Sequence, residues 1–207
     1  MNDLASFLIS RVPAVSAGDR AVQGWNPKGV AELVGIAYDE DESLPPEVLT
    51  QRLDKFLIAA RRAILQIPLE HLGMQTPGRD RTVRQVGYHI FRVALSYRDA
   101  IEQGYLPEEW FGEAPPAGMD DAAAIAHFGE EVRKRLFEWL KQNPADKGEV
   151  NTYYGPQTIP AFLERTVWHV GQHLRQLYAF LDLMKVAPEN PLPEEDFAGL
   201  PLPQNVW

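Results

Sequence analysis

Four stretches of the chain repeat apolar positions with the period of a helix. From Glu47 to about Ile67, the positions Leu49, Leu53, Phe56, Leu57, Ala60, Ile64 and Ile67 line one face of an amphipathic helix. Between Thr82 and Gln103 the face is Val83, Val86, Ile90, Val93 or Ala94, Tyr97 and Ile101, and Gly104 followed by Pro107 stops it. A third helix is predicted over residues 120–142, burying Ile125, Phe128, Val132, Leu136, Trp139 and Leu140. Asp120 and Asp121 suit its positive end, and Asn143-Pro144 closes it. The longest run, Pro160 to Lys185, has no internal proline. There Phe162, Thr166, His169, His173, Gln176 and Phe180 recur every three or four residues. Beside them runs an apolar stripe of Val167, Val170, Leu174, Leu177 and Leu181.

Between these runs the text is that of connections. His71 to Asp80 contains Gly73, Pro77 and Gly78 and reads as a loop; residues 105–118 carry Trp110 and Phe111 as a pocket lid or as pins for the connection. Tyr153-Tyr154-Gly155-Pro156 reads as a turn leading into the last helix, and no strand signal separates the helices. The predicted fold class is therefore all-α, a four-helix bundle over residues 46–187. Residues 1–42 form an appendage of another kind. Two short strands flank a turn at Ala17-Gly18-Asp19, and a helix follows, capped by Asn26 with Pro27 at its first position. A charged break at Asp39 to Glu42 ends it. Residues 188–207 are rich in proline and have no apolar period, so this tail should lie extended over the surface or be mobile. Val206-Trp207 is its candidate anchor, into the fold or into a dimer partner.

Composition narrows the function classes. With 207 residues, 45% hydrophobic and 24% charged, the chain has enough material for one core and the make-up of a soluble protein. A net charge of -9 argues against a sequence-independent grip on nucleic acid, despite the local cluster Arg79, Arg81 and Arg84. The absence of cysteine removes disulfides, thiolate ligands and thiol redox chemistry from the protein itself. No apolar run approaches the roughly 20 residues of a membrane span, and MNDLASFLISR lacks the features of a secretory signal, so a cytoplasmic protein is expected.

The candidate chemistry lies in the histidines. His169 and His173 are one helical turn apart, roughly 6 Å along the axis, at the border of a buried stripe. Such a pair presents two imidazoles to one point, and neutral imidazole suits Zn, Ni, Fe or Cu. His89 sits on the core edge of another long helix and is the candidate third ligand, which would leave open positions for water or substrate. His71, in a loop, and His127, on the third helix, read as surface or structural residues. Gln172, Gln176 and Arg165 are the groups that helical spacing puts beside the pair, with Tyr88 and Arg92 beside His89. Trp168 faces away and reads as a packing or dimer contact. The glutamate that follows the first histidine in zinc peptidases is missing, as are the Glu-x-x-His pairs of ferritin-like di-iron sites and any phosphate-binding glycine loop.

Two resemblances sharpen this picture. Val86-Gly87-Tyr88-His89-Ile90 and Trp168-His169-Val170-Gly171-Gln172-His173-Leu174-Arg175-Gln176 resemble the DinB/YfiT-like family. Its pattern is one histidine in the second helix and His-x-x-x-His in the last long one. That resemblance implies a metal site of His89, His169 and His173 on a four-helix bundle, and for the family's characterised branch, thiol-dependent S-transfer and isomerisation. The family's commoner text after the second histidine is His-Arg-Gly-Gln; here the glutamine keeps its place as Gln176 and the arginine is displaced by one, to Arg175. The first 42 residues, with a strand ending in Val12-Pro13, a hairpin and a helix, resemble the C-terminal half of a glutaredoxin. That likeness implies a cis Pro13 beside a thiol-binding groove, in a fragment without the cysteine-bearing half.

Three neutral ligands leave the double charge of a divalent ion largely uncompensated, which favours an anionic fourth ligand. The expected function is metal-dependent: a low-molecular-weight thiol held as its thiolate for S-transfer or isomerisation. The alternatives are a hydrolase acting through a water of lowered pKa and a non-catalytic metal-binding or stress-response protein that engages a partner. The expected partners are a small-molecule substrate and a second copy of the chain, with neither nucleic acid nor membrane.

Overall fold

A computed structural model describes residues 14–23, 26–37, 43–77 and 80–206. Pro13, Asp39 to Glu42, Arg79 and Trp207, to which the sequence assigns roles, lie outside them. The chain begins with strands β1 (Ala14–Ala17) and β2 (Arg20–Gln23), antiparallel around Gly18 and Asp19. A two-residue hairpin link needs a positive φ, and Gly18 supplies it at 62°. Helix α1 (Pro27–Val34) starts where the Asn26 side chain accepts the Gly29 N–H at 2.8 Å, and it packs on the hairpin.

The four periodic stretches form helices α2 (Pro46–Leu65), α3 (Val83–Gln103), α4 (Ala122–Gln142) and α5 (Ile159–Leu183). Their starts are set by side chains. Thr82 and Gln85 close a reciprocal capping box on α3; Asp121 accepts from Ala124 N at 2.7 Å, and Thr158 from Ala161 N at 3.3 Å. Helices α2 and α3 each pack chiefly on α4 and α5, and hardly on each other. The apolar faces meet in one core with Leu53, Phe56, Ile90, Tyr97, Phe162 and Leu177 fully buried. Two close approaches depend on glycine. A Cβ on Gly129 of α4 would fall closer than 3.0 Å to three ring atoms of Phe91 on α3, and one on Gly171 of α5 would lie 2.8 Å from the Phe56 ring on α2.

The structure departs from the all-α expectation in one place. Strand β3 (Tyr105–Leu106) runs parallel to β4 (Glu149–Thr152), which pairs antiparallel with β5 (Gly155–Thr158). These strands of two to four residues, one containing Pro156, are too short to declare a period of two. What makes them pair is the Tyr153–Tyr154 turn, closed by Thr152 Oγ1 donating to Gly155 O at 2.6 Å, and Tyr153 N donating to Leu106 O at 3.0 Å. The pairing carries both tyrosines back over the start of α5.

The proline-rich tail runs along α2 and α5, with a 3₁₀ turn at Glu194–Asp196. Phe197 stacks on Phe56, Lys55 pairs with Asp196 at 2.5 Å, and Arg52 donates to Ala198 O. Trp168, facing away from the core, donates its indole N–H to Pro201 O at 2.9 Å.

Candidate metal centre

Packing of α3 on α5 brings His89 against the pair His169 and His173. The Nε2 atoms of His89 and His169 are 3.3 Å apart, and one ring nitrogen from each of the three residues lies within 4.8 Å of the others. Two imidazole nitrogens bound at about 2.05 Å to one tetrahedral ion are separated by about 3.4 Å. The donor set therefore fits a divalent transition metal. No fourth His, Asp or Glu joins the group among the described residues.

The surroundings choose the protonation state. Val206 O accepts from Gln176 Nε2 at 3.0 Å, so the amide oxygen of Gln176 must be the atom 2.7 Å from His173 Nδ1. That oxygen can only accept. His173 therefore carries its proton on Nδ1 and keeps the lone pair of Nε2 for a ligand role. Burial holds the pKa of His169 well below 6.5, and the neighbouring His173, His89, Arg165 and Arg81 push it the same way. Its imidazole is neutral at pH 7, the form that binds metal. His169 keeps part of its surface at solvent, while its Nδ1 is buried without a hydrogen-bond partner.

The family model described as the DinB superfamily matches residues 41–177, which include all three histidines. The chain belongs to the DinB superfamily. The match leaves out β1, β2, α1 and the tail. None of the curated proteins searched matches the chain.

In this DinB-superfamily chain the predicted neighbours of the histidines divide by what they touch. Gln176 contacts His173 directly. Gln172 donates to Val206 O at 2.8 Å and accepts from Arg175, whose guanidinium also reaches Pro203 O and Gln204 O. The displaced arginine thus holds the tail. Arg165 lies one turn before His169, stacked over Tyr154 at 4.1 Å and Phe111 at 5.5 Å. Tyr88 stacks on Phe128, and Arg92 is tied to Glu113, so both point to other business than the histidines. His71 and His127 stand apart from the group, His127 exposed.

Four more residues complete the surroundings, and the sequence reads Phe111 only as a lid or pin and Val206 only as an anchor, without placing either at the histidines. Phe111, placed by a single 3₁₀ turn at Glu108–Phe111, stands 5.4 Å from the His169 ring and 6.0 Å from His89. Tyr153 and Tyr154 reach the same wall through the β4–β5 turn. Val206 arrives from the tail. Paired aromatics at a turn, Tyr153-Tyr154-Gly155-Pro156, were the visible trace of that wall.

Proposed function

We propose that this chain is a metal-dependent enzyme in which His89, His169 and His173 hold a divalent transition metal (zinc, nickel or iron) on a four-helix bundle of the DinB/YfiT type. A small molecule would take the remaining position, and a low-molecular-weight thiol that undergoes S-transfer or isomerisation is the reading we favour. The observation that carries the proposal is the 3.3 Å separation of His89 Nε2 and His169 Nε2, with His173 in the same cluster. A divalent ion there supplies a Lewis acid able to hold a thiol or a water deprotonated at neutral pH.

The chain's own residues have clear tasks under this reading. Gln176 keeps the lone pair of His173 directed away from Nδ1. Phe111 and Trp168 flank the His169 ring. The lack of a fourth protein ligand among the described residues supports an exchangeable position, since structural zinc sites are closed by four. It weighs against the alternative of a purely structural metal. Titration of the full chain with zinc, nickel and iron(II), followed by thermal melts with small thiols added, tests the proposal. A thiol that raises Tm only in the metal-loaded protein supports it. Metal binding with no thiol effect would remove the thiol and leave the hydrolytic reading.

A further inference from the structure

Among the described residues, five buried side-chain polar atoms lack a close hydrogen-bond partner, and three of them belong to neighbouring residues: Tyr154 Oη, Arg165 Nε and His169 Nδ1. Arg165 lies over the Tyr154 ring, and Phe111 contacts both Arg165 and His169. Buried polar groups are nearly always paired, so a cluster of such exceptions marks a place where something else supplies the partners.

All three atoms can donate, and the Tyr154 hydroxyl also interacts with the side chains of Arg165 and Thr152. The guanidinium Nε–H can only donate. Burial pushes the Tyr154 phenol up to about 12, so its proton is retained. With Nε2 of His169 turned to His89, Nδ1 is the N–H of a ligating imidazole. The two buried arginines beside the site make the contrast plain. Arg92, 6% exposed, has Glu113 at 2.5 Å and Asp99 at 3.7 Å. Arg165, 5% exposed, has no carboxylate among the described residues; it donates from Nη2 to Tyr153 Oη at 3.3 Å and interacts with the Tyr154 hydroxyl. Stacking on Tyr154 and Phe111 offsets part of the cost of burying that charge. It does not satisfy Nε.

We propose that Arg165, Tyr154 Oη and His169 Nδ1 form the seat of a carboxylate carried by the small-molecule substrate, next to the three histidines. A carboxylate offers several lone pairs in a plane and a charge to match the guanidinium. Tyr153 and Tyr154 are partly exposed at their turn. This inference rests on the reading of the histidines as a metal site.

The test is calorimetric binding of succinate, its uncharged diamide and inorganic phosphate to the full chain, after metal content has been measured on the same samples. In the metal-loaded protein, succinate should bind with the diamide weaker by roughly tenfold or more. Arg165→Met should weaken succinate by a similar factor while metal content stays unchanged. Tyr154→Phe, which removes only a hydroxyl, should weaken it several-fold and guards against a misfolded arginine variant. Succinate binding that ignores Arg165 and Tyr154, no succinate binding at all, or a preference for phosphate would each overturn the carboxylate seat while leaving the metal site standing. A wild-type chain that takes up no metal would overturn both.

Discussion

At the scale of single residues, the site is a problem of protonation. Three imidazoles can share an ion only when each offers a lone pair, and the chain arranges this by burial at His169 and by the Gln176 carbonyl at His173. Replacing Gln176 by Leu should lower metal affinity by roughly 10–100-fold, measured by competition with a chelator, without loss of helicity. Burial of His169 also makes a prediction for the metal-free protein. Unfolded, this histidine takes up a proton as pH falls below about 6.5; folded, it does so only well below that value. The unfolded state therefore binds more protons in that window, and the stability of the metal-free chain should decline as pH drops from 7 towards 5. Urea midpoints at a series of pH values would check this; a flat profile would contradict it.

At the scale of elements, helix packing and the tail act on the same site. Gly129 and Gly171 let α4 and α5 approach their neighbours, and the aromatic rings that fill the space are enclosed. Gly129→Ala should destabilise the fold by about 1–3 kcal/mol through overpacking, outweighing the ~1 kcal/mol that alanine gains in a free helix. Denaturant melts give the sign directly. The tail reaches the histidines through a chain of hydrogen bonds, from Val206 O to Gln176 to His173. Removing residues 201–207 should thus weaken metal binding by about tenfold, and the loss should not add to that of Gln176→Leu, because both act through one amide. Additive losses would mean that the tail works by another route. The helices were legible because a period of 3.6 repeats over twenty residues. The β3–β4–β5 sheet was not, because its strands are two to four residues long, too short for a period of two, and β3 pairs with β4 across more than 40 residues of chain.

At the scale of the whole molecule, His89, His169 and His173 were legible from i, i+4 spacing, from a core-edge histidine on a second long helix and from the family resemblance. Their wall was not. Phe111, Tyr153, Tyr154 and Val206 come from connections and from the tail, where position is decided by tertiary contact alone. None of the helices is long and apolar enough to cross a membrane among the described residues. The DinB-superfamily match covers the segment that builds the histidine cluster, and the tail that orients His173 lies beyond it. The most direct measurement is elemental analysis of untagged protein, purified without chelators and reconstituted with zinc, nickel or iron(II), for wild type and His89→Ala. About one ion per chain in the wild type, and close to none in a variant whose circular dichroism is unchanged, is the predicted result. An empty wild type, or a variant that keeps its ion, would contradict a three-histidine centre.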